Sequence, residues 1–102
     1  MATIHKKFLF EGTIAGNATL TFNWNHPLHT TVLGYFAYAK VPAQLPGDTL
    51  VGEVGIVAVR HQSTRTGSED PAVDRVEIDI KNFRSTPTGF ALYQSSISGA
   101  AE

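Results

Sequence analysis

The polar stretch from Arg60 to Arg75, RHQSTRTGSEDPAVDR, holds the side chains best suited to chemistry in this chain of 102 residues. An imidazole beside a carboxylate can transfer a proton, and closely spaced carboxylates can hold a calcium ion. Guanidinium, imidazole and carboxylate groups together can also bind the hydroxyls of a sugar. The candidate ligand-binding residues of this stretch are Arg60, His61, Arg65, Glu69 and Asp70.

Catalysis and metal binding have little support in the sequence. The carboxylates in SEDPAVD lack the alternating ligands and tight glycine of a calcium loop. A proton-transfer enzyme would pair His61 with Glu69 or Asp70, but no positioned partner is evident. His26 and His29 lie three residues apart, so on an extended segment they point to opposite faces rather than to one metal ion. We therefore predict no enzymatic activity, no metal site and no cofactor.

The segment that carries the candidate residues predicts a long loop. No strand pattern is visible from Gln62 to Ala72. A structureless connection of this length in a compact domain is usually functional or disordered. Recognition of a ligand or contact with another subunit is the role that we expect of it.

Period-two alternation of apolar and polar residues predicts the strands that position this loop. After the loop, one face of a strand carries three β-branched residues and the other carries charges. The apolar face holds Val76, Ile78 and Ile80, and the charged face holds Arg75, Glu77, Asp79 and Lys81. The segment ATLTFNWN places Leu20, Phe22 and Trp24 on one side in the same way. Both segments predict half-buried antiparallel strands.

The N-terminal segment predicts another strand, with Ile4, Phe8 and Phe10 on one face. The turn residues at 15–17 then predict a hairpin between the first two strands. Near the C-terminus, TGFALYQSSI predicts a last strand that begins after a turn containing Pro87 and Gly89.

Two further segments are apolar on both faces. In TTVLGYFAYAKV, Val32, Phe36 and Tyr38 alternate with another apolar set, Leu33, Tyr35 and Ala37. In DTLVGEVGIVAV, Leu50, Val54 and Ile56 alternate with Val51, Val57 and Val59. Such strands need cover on both sides, from within the domain or from a neighbouring subunit.

Taken together, these segments predict one all-β domain over residues 1–102. The predicted architecture is a small antiparallel β-sandwich, a jelly-roll-like domain or a partly closed barrel, built from about six strands. No useful length of the chain follows the apolar spacing of a helix.

Composition narrows the classes of partner. Eight Lys and Arg against nine Asp and Glu give a formal charge of −1, so there is no basic field to hold nucleic acid. The absence of cysteine excludes disulfides, thiolate zinc sites and cysteine nucleophiles. No export signal or apolar membrane span is visible, which predicts a soluble chain of undetermined location, without membrane insertion.

Two stretches resemble the H-type lectin domain, a small antiparallel β-sandwich module. ATLTFNWNHPLHTTVLGYFAYA looks like the family's opening strands, and DRVEIDIKNFRSTPTGFALY is similar to its later hairpin with a Thr-Gly-Phe turn. The resemblance covers less than half of the chain and implies a sandwich fold, trimeric assembly and glycan recognition. Where the family has a Trp and often a His after that turn, this chain offers Tyr93 and Gln94.

Two functional hypotheses remain open at this point. The preferred one is a non-catalytic binding or adhesion module that self-associates, with a trimer favoured, and that recognises a glycan or another surface ligand through its loops. The alternative is a structural subunit of a viral particle, tail or appendage with no small-molecule ligand. The two doubly apolar strands and the polar central stretch motivate the preferred hypothesis. In the alternative the same stretch locks neighbouring subunits together, and the missing cysteines, the near-neutral charge and the lack of an active-site pattern fit it equally well.

Overall fold

A computed structural model describes residues 3–25, 31–42, 47, 49–69 and 72–98. Within them the chain forms six antiparallel strands and no helix, which confirms the predicted all-β class. The strands are β1 (Thr3–Ile14), β2 (Thr19–Asn25), β3 (Thr31–Lys40), β4 (Val54–Thr64), β5 (Val73–Asn82) and β6 (Thr88–Ser98). Among the described residues, none belongs to a helix long and apolar enough to cross a membrane.

The strands form two three-stranded sheets, as expected for a small β-sandwich. Sheet A has the order β1-β6-β3, and sheet B has the order β2-β5-β4. The predicted hairpin of the first two strands is wrong, because β1 pairs with β6 whereas β2 pairs with β5. Asn17 reverses the chain with φ of 60°, and its N–H donates to the carbonyl of Arg84 at 2.8 Å. The turn therefore carries the chain from one sheet to the other.

The core lies between the inner faces of the two central strands. Its fully buried apolar side chains come mostly from β5 and β6, and they are Ile14, Val76, Ile78, Ile80, Phe90 and Leu92. The alternation predicted for β5 is confirmed, and Phe22 and Trp24 of β2 pack against the same cluster, as predicted.

Three of the four edge strands contain a register shift, or β-bulge, which changes the face to which later residues point. The shifts lie between Phe8 and Phe10 in β1, between Val32 and Gly34 in β3, and between Ile56 and Ala58 in β4. The prediction that Phe8 and Phe10 share a face is therefore wrong. Phe10 lies opposite Leu92 and faces the core, whereas Phe8 lies opposite Tyr93 on the outer face of sheet A.

A buried asparagine at the end of β5 contacts both the β1–β2 and the β5–β6 connection. The Asn82 side chain is fully buried, and its amide nitrogen lies within hydrogen-bond distance of the carbonyls of Ile14 at 3.0 Å, Ala15 at 3.3 Å and Thr86 at 2.8 Å. Its carbonyl oxygen accepts from the N–H of Arg84 at 2.8 Å. One side chain thus satisfies backbone groups of both connections at this end of the sandwich.

Candidate functional site

The β4–β5 hairpin extends further into the polar stretch than the sequence predicts. The ladder continues through Gln62↔Arg75 and Ser63↔Asp74 to Thr64↔Val73, so the connection spans only residues 65–72. The predicted loop from Gln62 to Ala72 is therefore too long. His61 to Thr64 are all exposed, and a strand end that nothing covers needs no apolar residues, so the alternation disappears while the backbone pairing continues.

The exposed end of this hairpin holds a shallow hollow of about 300 Å³. Five polar residues of the two paired strands line it: His61, Gln62, Ser63, Asp74 and Arg75. Their imidazole, amide, hydroxyl, carboxylate and guanidinium groups supply both hydrogen-bond donors and acceptors. We call this set the hairpin hollow.

The hairpin hollow is held by regular structure rather than by a free loop. The ladder places Asp74 directly opposite Ser63, and Arg75 opposite Gln62. Arg75 also donates from Nη2 to the side-chain oxygen of Asn23 on the neighbouring strand β2. Because paired strands already hold these residues in place, a bound ligand would have to offset less loss of conformational entropy.

Arg60 lies next to the hairpin hollow in sequence, opposite Glu77 on the charged face of sheet B, and His61 lies on the opposite face. Its Nε donates to Glu77 at 2.8 Å, and its two terminal nitrogens donate to the Asp79 carboxylate at 2.9 and 3.0 Å. These hydrogen bonds, that with Asp79 foremost, raise the pKa of Arg60 above its ordinary value. The guanidinium fork is thus engaged within the sheet, so the structure does not bring Arg60 and His61 to one site.

The same contacts affect Asp79. Hydrogen bonds from Arg60 first, and from Thr21 second at 2.6 Å, hold the pKa of the Asp79 carboxyl below its usual range. A carboxyl whose pKa is lowered by folding stabilises the folded chain above its unfolded pKa of about 3.9. That contribution is lost as the pH falls below this value.

We therefore expect Asp79→Asn to reduce the acid sensitivity of the fold. The variant should have a lower Tm than the parent chain at pH 7, and the difference should shrink as the pH is lowered from 5 towards 2. Thermal unfolding followed by circular dichroism across this range measures it. A difference that stayed constant with pH would contradict the role of the Asp79 carboxylate.

The remaining candidate residues lie outside the hairpin hollow or outside the residues that the structure describes. Arg65 and Glu69 are exposed in the connection between β4 and β5. Asp70 lies outside the described residues, as do His26 and His29. Within the described part of the chain, no group of three or more His, Asp or Glu side chains could hold a metal ion.

Sequence reasoning identified only His61 among the five residues of the hairpin hollow. It missed Gln62, Ser63, Asp74 and Arg75, although all four lie within the polar stretch that it singled out. The missing information was the hairpin register. Thr64 pairs with Val73, and knowledge of this register would have shown that Gln62, Ser63, Asp74 and Arg75 occupy neighbouring positions of the two strands.

No protein-family model matches the chain, and no curated protein and no solved structure shows significant similarity to it.

Proposed function

We propose that this chain is a non-catalytic binding module that recognises a glycan at the hairpin hollow and works as a homo-oligomer. The observation that supports ligand binding is the hollow itself, which is lined by five polar residues at the exposed end of one hairpin. Sugar hydroxyls are both donors and acceptors, so they match such a mixed set.

The charge of the hollow favours a neutral polyhydroxylated ligand over an anion. Arg75 could attract a phosphate, but Asp74 in the same hollow repels it. The chain's formal charge of −1 adds no long-range attraction for anionic polymers. The shallow form of the hollow suits one or two sugar units at the end of a glycan better than an enclosed small molecule.

Self-association is supported by the apolar surface that the single chain leaves exposed. Large apolar side chains on both sheets are more than one third exposed, among them Ile4 at 68%, Leu33 at 54% and Val57 at 51%. Multivalent display on an oligomer would also raise the avidity of individually weak sugar contacts.

The second candidate is a structural subunit of a particle, tail or appendage, and one observation favours it. The chain measures 61 × 35 × 16 Å along its principal axes, a long and thin form suited to lateral packing in an assembly. In that case the hairpin end would contact a neighbouring subunit rather than a sugar. Electron microscopy that showed regular particles, together with no sugar binding, would favour this candidate.

A glycan array with the purified chain tests the proposed function, followed by titration of the strongest sugar with His61→Ala and Asp74→Ala. We expect each variant to weaken binding about tenfold, since one hydrogen bond to a ligand is worth about 1 to 1.5 kcal/mol. Thr19→Ala is the matched control, because Thr19 is an exposed polar residue of the same sheet outside the hollow. No binding on the array, or equal loss in the control, would overturn the glycan proposal.

A further inference from the structure

The outer face of sheet A carries an apolar surface that faces solvent in the single chain. Its residues form rows across the three strands, and the middle row consists of Phe8, Tyr93 and Phe36. Phe8 and Phe36 are each 47% exposed, and Tyr38 is 46% exposed. We call this surface the aromatic face. It is made of Ile4, Lys6, Phe8, Glu11, Phe36, Tyr38, Lys40, Gly89, Tyr93 and Ile97.

The rings of the aromatic face contact one another and a lysine. Tyr93 meets Phe8 edge to face at 5.7 Å and Tyr38 at 5.6 Å between ring centroids. The Lys6 ammonium lies 4.6 Å from the centre of the Tyr93 ring and 5.1 Å from that of Tyr38. Because Lys6 already occupies these ring faces, they do not offer a sugar an open stacking platform.

The single chain exposes more surface than a compact protein of its size. Its accessible area is 6862 Å², whereas a compact monomer of this mass exposes about 5,600 Å². The radius of gyration is 17.1 Å, against about 13 Å for a compact domain of this length. A standard interface buries about 800 Å² per partner. The accessible area in excess of that of a compact monomer is therefore larger than one partner's share of a standard interface.

We propose that a second copy of this chain covers the aromatic face, related by a two-fold axis that crosses the strands at the Phe8–Tyr93–Phe36 row. This inference rests on the self-association in the proposed function and names its surface. In that arrangement β1 of one copy lies antiparallel over β1 of the other. Each row on one side of the middle row then meets the corresponding row on the other side in the second copy.

The two-fold axis brings opposite charges of the two aromatic faces together. Lys6 lies one row to one side of the middle row, and Glu11 lies one row to the other side. Their backbones are about 15 Å apart along β1, and within the described chain Glu11 forms its ion pair with Lys40 rather than with Lys6. The two-fold axis places Lys6 of each copy opposite Glu11 of the other, beside the contact of 3.1 Å that Glu11 already makes with Lys40. An axis parallel to the strands would not pair these charges.

The two aromatic faces are also complementary in shape under this axis. At one end Ile4 is 68% exposed beside Ile97 of β6. At the other end a hollow of about 270 Å³ surrounds Gly89, lined also by Glu11, Gly12, Thr13, Lys40 and Phe90. A Cβ on Gly89 would stand 2.7 Å from the carbonyl oxygen of Lys40, so no side chain can fill this place. The axis brings the isoleucine end of each copy to the hollow of the other.

A face that pairs with itself closes after two copies. The arrangement therefore favours a dimer, or an even-numbered assembly of dimers, over the trimer that the lectin resemblance implies. The hairpin hollow belongs to sheet B, so the pairing of two A sheets leaves the proposed sugar site uncovered.

Native mass by light scattering and sedimentation velocity tests the aromatic face. We expect the parent chain to be a dimer and Phe36→Asp to shift its dissociation constant by at least a hundredfold. Phe83→Asp is the matched control, because Phe83 is equally exposed at 46% but lies outside the face. The control should remain dimeric, and circular dichroism of each variant establishes that it is folded.

A charge exchange tests the axis itself. Lys6→Glu should weaken the dimer at least tenfold, because the introduced carboxylate would then face the carboxylate of Glu11 in the other copy. Glu11→Lys should weaken it in the same way, by bringing two ammonium groups together. The double variant with both changes should restore the dimer, because the opposite charges again meet across the axis. Because Lys6 and Glu11 form no ion pair within the described chain, recovery of the dimer mass would report a contact between the two copies.

The possible outcomes separate this inference from the proposed function. A monomeric parent chain would overturn both the dimer and the self-association, while the array result on sugar binding would stand. An oligomer unaffected by Phe36→Asp would overturn the aromatic face alone. A trimer that Phe36→Asp dissociates, or an absence of rescue in the double variant, would overturn the two-fold arrangement.

Discussion

Asn82→Asp is expected to lower the free energy of unfolding by at least about 3 kcal/mol at pH 7, since each buried carbonyl left without a donor costs about 1 to 3 kcal/mol. Aspartate has nearly the same shape as asparagine, so packing is preserved. It replaces the amide that lies near the carbonyls of Ile14, Ala15 and Thr86 with an acceptor. The fully buried site also cannot solvate a carboxylate.

The effect of Asn82→Asp should depend on pH in a direction that identifies its cause. Burial beside three carbonyls raises the pKa of the introduced carboxyl in the folded chain. The protonated form can donate one hydrogen bond, so the loss of stability should be smaller near pH 4 and should grow as the pH rises. Chemical denaturation at pH 4 and pH 8 measures this difference.

Asn25→Asp is the matched control for this substitution, because Asn25 is exposed at the end of β2. The same change at an exposed position should alter stability by less than about 0.5 kcal/mol. If Asn82→Asp and Asn25→Asp had equal effects, the asparagine would not hold the two turns together.

The second large effect is expected from Ile78→Ala at the centre of the core. Ile78 is fully buried on β5, between Phe22 of β2 and Val59 of β4 in the ladder. Removing its side chain should cost about 3 kcal/mol, within the range of about 2 to 5 kcal/mol for buried isoleucine. Since domains of this size are stable by only about 5 to 15 kcal/mol, this is a large part of the total.

Val57→Ala provides the comparison for Ile78→Ala, because Val57 is 51% exposed on the same sheet. Its cost should stay below about 1 kcal/mol. Both variants need to be measured at one fixed chain concentration, because association adds to the apparent stability of an oligomer. Similar losses at the two positions would mean that the space between the sheets is not the principal core.

The sequence predicts facing correctly wherever one strand has one continuous buried side. β5 and β2 contain no register shift, and Val76, Ile78 and Phe22 face the core as their alternation indicates. In β3, Val32 and Tyr35 share the inner face although they lie three residues apart, since the bulge at Leu33 changes the parity. A bulge is set by pairing with another strand, so it leaves little trace in the strand's own sequence.

The candidate site shows the same limit of sequence reasoning. The polar composition of the stretch from Arg60 to Arg75 identifies the region, and His61 does line the hairpin hollow. Composition alone could not show that Arg60 lies on the opposite face from His61, where Glu77 and Asp79 bind it. Only the register decides which of two neighbouring residues on a strand reaches a given surface.

The bulges in β1, β3 and β4 also affect how readily further strands could add to the edges of the two sheets. Among the described residues, each of the two small sheets has two edge strands without a further partner. A straight edge of 10 to 12 residues, the lengths of β1, β3 and β4, is a template for indefinite strand addition. A bulge interrupts the regular spacing of the free N–H and C=O groups and twists the edge. The edge strand without one, β2, is also the shortest strand, at seven residues. We therefore expect the edges to resist cross-β polymerisation, so that the self-association proposed above would proceed through faces, which can stop at a defined number of copies.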